Sequence, residues 1–166
     1  TKFVPALAES WRPVNNTTWR FTLRKGVTFH DGTPFNADSV VFTLKRVKDN
    51  TKLIKSFVYQ DIESVDKVGD YAVVVTSKRP FGSLPAHLTM LGMLPPSAGK
   101  GEEAFFQKPI GTGPFRFASW THGDQIALTA NPSYWKPGVP KVEKLTFRFI
   151  PEVSTRRGGL PPGGGQ

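Results

Sequence analysis

The stretch WRFTLRKGVTFHDGTPFNADSVVFTLKRVKD, residues 19–49, predicts a strand, a turn and a helix in direct succession. Trp19, Phe21 and Leu23 alternate with polar residues, which is the two-residue period of a half-buried strand. The order His-Asp-Gly-Thr-Pro at residues 30–34 predicts a tight turn, because glycine accepts a positive φ and aspartate bonds nearby backbone. The chain is therefore expected to reverse direction before the helix begins.

The helix is predicted to begin after Asn36, a favourable N-cap, with Asp38 in the first turn where the helix dipole favours an anion. It is expected to end at Asp49-Asn50, shortly after a group of cations that suits a helix C-terminus. Four apolar residues recur at helical spacing and should face a core: Val40, Val41, Leu44 and Val47.

The rest of the sequence predicts further short strands and helices on both sides of a boundary near Gly111. Before it we expect a hairpin at residues 62–77 that turns at Gly69-Asp70, and short helices at 83–91 and 101–106. After it we expect strands at 115–117, 125–130 and 145–150, with turns at 122–124 and 131–135. The pattern is that of a mixed α/β (α+β) fold in two blocks.

Composition excludes several classes of protein. The chain has no cysteine, which removes disulfides and thiolate chemistry, and its 20 aromatic residues are enough for a real core. No apolar run reaches the length of a membrane span. Residues 1–5 lack the apolar centre of a secretory leader, so the sequence is expected to begin inside a longer protein.

The net charge of +9 leaves a second function class open, a basic nucleic-acid or membrane-surface binding module. The charges are scattered, however: residues 1–108 hold 15 basic and 10 acidic side chains, and residues 109–166 hold 7 and 3. No basic arm or RNA-binding motif is present, so we expect no nucleic-acid partner.

Three features resemble catalytic or cofactor motifs without their context. Residues 111–113, Gly-Thr-Gly, are followed by Pro114 and a strand, whereas a phosphate loop needs a helix N-terminus, so a glycine hinge is the better interpretation. His30-Asp31 lacks a nucleophile motif and fits a turn. His30, His87 and His122 are far apart in sequence. We expect no enzyme activity, no cofactor and no metal.

Several segments in order resemble family 5 of the extracytoplasmic solute-binding proteins, which includes the dipeptide, oligopeptide and nickel receptors of ABC importers. The early matches are LAESW at 7–11, WRFTLRKGV at 19–27, FHDGTPF at 29–35 and ADSVVF at 37–42. The later matches are PIGTGPF at 109–115, NPSYW at 131–135 and LTFRFIP at 145–151. Together they cover almost all of the chain to Arg156.

The resemblance implies a periplasmic-binding-protein-like (type II) fold, here the smaller domain plus part of the main ligand-binding lobe. Residues 1–108 resemble the smaller domain, and residues 109–156 resemble strands that re-enter the main lobe. The family binds solutes in a cleft between two lobes and passes them to a membrane permease of an ABC importer. Peptides or similar small solutes, a periplasmic or extracytoplasmic, membrane-associated location and a monomeric intact protein are the corresponding expectations.

The resemblance also gives candidate ligand-binding residues: Phe57, Met90, Leu91, Gly111, Thr112 and Gly113. Members with nickel-chelate or anionic ligands can place arginine in the stretches that correspond to residues 56–58 and 89–92. This chain has Phe57 and Met90 there, which favours a peptide or an apolar solute. The alternative for Phe57 and Met90 is ordinary core packing, which is also the interpretation of Trp11, Trp19, Tyr134 and Trp135. Because the second lobe is not in this chain, we expect the chain alone to lack tight binding.

The tail departs from the family. Residues 157–166, RGGLPPGGGQ, cannot form the short helix that the resemblance implies. Read one base later, GC-rich codons for these residues can encode the expected helix, which suggests a frameshift just after Arg156; an artificial linker is the alternative. We expect this tail to be disordered or out of frame.

Overall fold

The computed structural model describes residues 3–50, 52–53, 56–99 and 102–150. Within them seven strands and four α-helices follow one another, with one turn of 3-10 helix at Pro96–Gly99. The elements are β1 Ala8–Pro13, β2 Thr18–Leu23, α1 Ala37–Asp49, α2 Ser56–Tyr59, β3 Ile62–Lys67, β4 Ala72–Ser77, α3 Leu84–Leu88, α4 Glu102–Gln107, β5 Phe115–Thr121, β6 Gln125–Ala130 and β7 Lys144–Arg148. The tail at residues 157–166, which is predicted to be disordered or out of frame, lies outside the described residues.

The first four strands form one antiparallel sheet in the order β1-β2-β4-β3. Trp19 pairs with Val75 and Phe21 with Val73, so the apolar side chains of the two central strands share one face. That face and α1 enclose a core in which Phe21, Val73 and Val75 are buried. The hairpin at 62–77 is confirmed, and a bulge between Ile62 and Ser64 breaks the alternation of its first strand, so that Ile62 and Val65 are both buried.

Helix α1 forms as the sequence predicts. The Asn36 side chain accepts a hydrogen bond of 3.0 Å from the backbone N–H of Asp38, which satisfies one of the free donors at the helix N-terminus. Val40, Leu44 and Val47 are buried, and the half-buried Val41 packs against the same core. The apolar stripe therefore attaches the helix to the sheet.

The other three strands form a separate antiparallel sheet in the order β5-β6-β7. Gly123 makes the β5–β6 turn at φ +78°, in the left-handed region that the predicted turn at 122–124 requires. Strand β5 is longer than predicted, since it continues through a bulge between Phe117 and Ser119 to Thr121. Strand β7 ends at Arg148, so the expected strand residue Phe149 lies just beyond it.

Three elements of the fold were not predicted: β1, α2 and the 3-10 turn at Pro96–Gly99. Strand β1 pairs with β2 although its sequence, AESWRP, has a single large apolar residue and ends in proline, as edge strands can. The one-turn helix α2 was missed because four residues are too few to show a period. No helix among the described residues is long and apolar enough to cross a membrane.

Candidate functional site

The segment that joins the two sheets is fixed by the turn at residues 30–34. The backbone N–H of His30 donates to the Gly111 carbonyl at 2.9 Å, and the Gly111 N–H donates to His30 Nδ1 at 3.2 Å. His30 Nε2 lies 3.0 Å from the Gly113 carbonyl. Because Nδ1 accepts a hydrogen bond, the proton of the neutral ring is on Nε2, which donates to Gly113. We call residues 110–114 the crossover.

The turn at residues 131–135 holds the same segment from the other side. The Asn131 side chain is buried, and its Nδ2 donates to the Gly113 carbonyl at 3.0 Å. Its Oδ1 accepts from Arg116 Nε at 3.0 Å and Nη2 at 2.7 Å, while the Asn131 backbone N–H donates to the Pro114 carbonyl. The Gly113 carbonyl therefore accepts from two turns that are about 100 residues apart in sequence.

The two glycines of the crossover are not explained by backbone freedom, since neither has a positive φ. A Cβ added at Gly111 would lie 3.8 Å from His30 Cε1, an ordinary contact distance, and a Cβ at Gly113 would also find room. The crossover, predicted as a glycine hinge, is held through five hydrogen bonds to His30 and Asn131.

A hollow of about 470 Å³ opens beside the crossover. His30, Gly111 and Gly113 form one wall, and apolar side chains of α4, β5 and β6 form the rest, among them Phe106 and Leu128. Two of the six predicted ligand residues, Gly111 and Gly113, thus share one concave surface. Thr112 lies between them and is half-buried.

A larger hollow of about 530 Å³ lies over the core face of the first sheet. Its lining is apolar, with Trp11 and Val75 from the sheet, Leu44 from α1, and Leu91 and Met93 from the segment after α3. Leu91, the third predicted ligand residue with a concave setting, therefore belongs to a different hollow from the crossover glycines.

The remaining two candidates, Phe57 and Met90, line neither hollow and lie at the surface of the described part of the chain. Phe57 is 71 % exposed on α2, and Met90 is 56 % exposed just after α3. Helices α2 and α3 are joined by a hydrogen bond of 2.9 Å from the Tyr59 hydroxyl to the His87 carbonyl. The alternative of core packing is wrong for both residues, because neither side chain is covered.

Core packing is confirmed for three of the other aromatic residues. Trp11, Trp19 and Trp135 pack against the first core, and Tyr134 stacks on Trp135 with ring centroids 5.3 Å apart. Trp135 reaches that core from the second block, and the guanidinium of Arg24 lies 4.5 Å from the centroid of its ring. This second link between the blocks was missed, because nothing in the spacing of Arg24 and Trp135 indicates contact.

His30 and Asp31 form side-chain hydrogen bonds to different parts of the chain. The Asp31 carboxylate accepts from the backbone N–H of Thr33 at 3.0 Å and from its hydroxyl at 2.7 Å, which is the predicted turn. The His30 ring instead bonds to the crossover. Across the described residues, no three histidine or acidic side chains are grouped closely enough to hold a metal ion.

Comparison with known proteins gives consistent results. The profile of the bacterial extracellular solute-binding proteins, family 5 Middle, matches residues 2–164. The glutathione-binding protein GsiB of Pectobacterium atrosepticum is 33 % identical over 171 aligned residues, which cover 99 % of this chain and 33 % of that protein. The chain therefore spans about a third of the length of this relative.

Two solved structures are similar in fold. The oligopeptide-binding protein AppA of Bacillus subtilis, in complex with a nonapeptide, has a TM-score of 0.82 and 33 % identity over 92 % of this chain and 32 % of its own. NikZ of Campylobacter jejuni, in complex with Ni(L-His), has a TM-score of 0.83 and 29 % identity over 93 % of this chain and 32 % of its own. The predicted type II periplasmic-binding-protein fold is confirmed, for the part of it that this chain contains.

Proposed function

This chain belongs to family 5 of the bacterial extracellular solute-binding proteins, and we propose that it is part of the receptor that delivers a peptide or similar small solute to an ABC importer. Family membership across residues 2–164 is the observation that carries the proposal. The members of this family are binding proteins, so a binding role rather than catalysis is proposed. The proposed partner is a membrane permease, and the proposed setting is extracytoplasmic with a monomeric, membrane-associated intact protein.

We propose that residues 1–108 form the smaller domain and that residues 109–156 return to the main ligand-binding lobe. The proposal is supported by the division into two sheets, since residues 8–77 supply the first and residues 115–148 the second. The crossover lies between them and carries Gly111, Thr112 and Gly113, which are proposed to border the ligand cleft.

The exposed apolar side chains support a solute with apolar groups. Phe57 and Met90 are both uncharged and more than half exposed, and the Tyr59–His87 hydrogen bond joins the helices beside them, so both side chains are accessible to an apolar group of a solute. GsiB is a glutathione-binding protein and AppA was solved with a nonapeptide. A short peptide whose apolar side chain contacts Phe57 and Met90 is therefore the ligand we propose.

Binding by this chain alone should be weak, because a cleft receptor takes contacts from two lobes. Losing about 4 kcal/mol of contact energy weakens binding roughly a thousandfold, from micromolar to millimolar. Titration of the ¹⁵N-labelled chain with di- to pentapeptides should therefore shift the amide signals of Phe57, Met90, Leu91 and Gly111 to Gly113 at millimolar peptide. Calorimetry at micromolar peptide should show no saturable heat.

The matched control compares two exposed phenylalanines. Phe57→Ala should reduce the peptide-induced shifts several-fold, whereas Phe147→Ala, on β7 and 52 % exposed, should leave them unchanged. Equal effects of the two substitutions would remove Phe57 from the site. Salt-sensitive binding to duplex DNA, with no response to peptides, would favour the basic binding module instead.

A further inference from the structure

The crossover is held by a histidine whose tautomer is fixed by its neighbours. Gly111 offers an N–H to Nδ1 at 3.2 Å, and Gly113 offers a carbonyl to Nε2 at 3.0 Å. A donor on one side and an acceptor on the other match neutral imidazole in one tautomer only, the one with its proton on Nε2. The backbone of His30 adds a third bond, from its N–H to the Gly111 carbonyl.

We propose that His30 is a proton-sensitive positioning residue: its neutral ring, protonated at Nε2, holds the crossover at Gly111 and Gly113, and a second proton at Nδ1 releases Gly111. The doubly protonated ring has two donors and no acceptor. It keeps a donor for the Gly113 carbonyl, but at Nδ1 an N–H would then face the N–H of Gly111. The Gly111 bond is lost, and the two donors repel each other.

The side chains around the ring add no second charge that would compensate for a proton at Nδ1. The hollow beside His30 is lined otherwise by apolar side chains and glycines, including Phe106 of α4, so among its described residues no other charged group faces the ring. Asp31, on the same turn, is bonded to Thr33. Arg116, on β5, is bonded to Asn131, which shares the Gly113 carbonyl with His30.

Because of Asn131, protonation of His30 should release the crossover at Gly111 but not at Gly113. Its amide also donates to the Gly113 carbonyl at 3.0 Å, and an amide side chain does not titrate. Gly113 therefore keeps one donor whatever the charge of His30, whereas the only side chain that the structure gives the Gly111 N–H, among the described residues, is His30. Acid should loosen the crossover at Gly111 and leave it attached at Gly113.

A second histidine in the same chain is the matched control. His87 Nδ1 lies 2.9 Å from the Ser83 carbonyl, so this nitrogen carries the proton, in the opposite tautomer to His30. Protonation of His87 adds a proton at Nε2 and leaves its bond to Ser83 intact. A proton added to His87 should therefore have no effect on the crossover.

The test uses the whole 166-residue chain and needs no solute. Long-range ¹H–¹⁵N correlation at about pH 8 should show the Nε2-protonated ring for His30 and the Nδ1-protonated ring for His87. Between about pH 8 and pH 5.5 the hydrogen-exchange protection factor of the Gly111 amide should fall roughly fivefold to tenfold, the size of one net hydrogen bond. Protection factors are compared because the intrinsic exchange rate itself changes with pH.

Substitutions separate this role from a purely structural one. His30→Gln supplies an amide donor and a carbonyl acceptor that do not titrate, so the Gly111 protection factor should no longer change with pH. His87→Gln should keep the full pH dependence. A His30 ring protonated at Nδ1 at about pH 8, or an equal pH-dependent loss in His30→Gln, would overturn the proposal. The tautomer is measured on the unaltered chain, so this result does not depend on how the variants fold.

Discussion

The two sheets of this chain differ in what covers them. In the first, α1 packs on the apolar face, and the core includes Phe29, Leu44 and Val73, each no more than 1 % exposed. In the second, α4 faces the sheet only across the hollow that Phe106 lines, and side chains as large as Trp120 and Phe147 are 45 % and 52 % exposed. The strands of both sheets pair in the same antiparallel way, but the apolar side chains of the first sheet are buried more fully than those of the second.

This difference indicates where stability resides. Strand pairing satisfies the backbone in both sheets, but burial of apolar surface supplies the main favourable free energy of folding. The first block therefore has a core that its own helix and sheet cover. The second block depends more on the hydrogen bonds that Asn131 makes with Arg116 and with the crossover. It also depends on Ile110 and Trp135, which pack against the core of the first block.

The largest expected effect is the loss of a buried leucine from the first block. Leu44→Ala should lower the free energy of unfolding by about 3 to 4 kcal/mol, because a fully buried leucine loses its transfer energy and leaves a cavity. Leu128→Ala, the same change at a half-buried position of β6, should cost only about 1 kcal/mol. Urea unfolding followed by far-ultraviolet circular dichroism measures both. Equal losses would show that the two blocks are equally well packed.

The next effect concerns the polar base of the second block. Asn131→Ala removes the acceptor of Arg116 and one donor to Gly113 at a buried position, and should cost about 2 to 3 kcal/mol. Asn15→Ala, which removes an exposed turn residue, is the control and should cost less than about 1 kcal/mol. If Asn131→Ala were no worse than Asn15→Ala, the buried network would not hold the second block.

The contrast between the blocks also decides how much of the fold the sequence predicted. Helix α1 and the hairpin were predicted because each has a local signal: the Asn36 cap, the apolar stripe and the turn at Gly69. Strand β1 was missed because its pairing with β2 is set by the sheet as a whole and not by its own residues. The observed ends of β5 and β7 differ from the predicted ends for the same reason, since pairing with β6 sets where each strand ends.

The candidate site was less predictable than the fold. The three sequence segments around His30, Gly111 and Asn131 were recognised separately, but the side-chain hydrogen bonds of His30 join residues more than 80 positions apart. Such contacts leave no periodicity in the sequence, so a glycine hinge was predicted at Gly111 and Gly113 without its hydrogen bonds to His30 and Asn131. The assignment of Phe57, Met90 and Leu91 to ligand contact stays a prediction.

A smaller effect is expected at the turn that presents His30. Gly32 has φ +85°, so Gly32→Ala places a Cβ in a backbone conformation that costs about 1 kcal/mol, although the space around it is open. Gly82 is equally open without a positive φ, and Gly82→Ala should change stability by less than about 0.5 kcal/mol. Thermal unfolding of the two variants, compared with the unaltered chain, measures the difference. Equal shifts in Tm would contradict the assigned turn.

The smallest effect is expected from charge at the surface of the first block, and it tests whether burial alone distinguishes the two blocks. Lys67 Nζ donates to Asp38 Oδ1 at 2.8 Å, joining the end of β3 to the first turn of α1. This hydrogen bond and the charge of Asp38 raise the pKa of Lys67 above its ordinary value of 10.5. Both side chains are about half exposed, so water screens their attraction.

The sign of the pH dependence follows from that shift. Because the folded chain binds the Lys67 proton more tightly than the unfolded chain does, the contribution of the pair is complete below about pH 10.5 and is lost as the pH rises through the raised pKa. Asp38→Asn should lower the pKa of Lys67 in a ¹³C-detected titration, whereas Asp66→Asn, which removes a carboxylate bonded to Ser64 instead, should leave it nearly unchanged. At neutral pH, Lys67→Gln should destabilise the chain less than Gly32→Ala does. A larger loss would mean that surface charge, and not only the covered apolar face, sets the first block apart from the second.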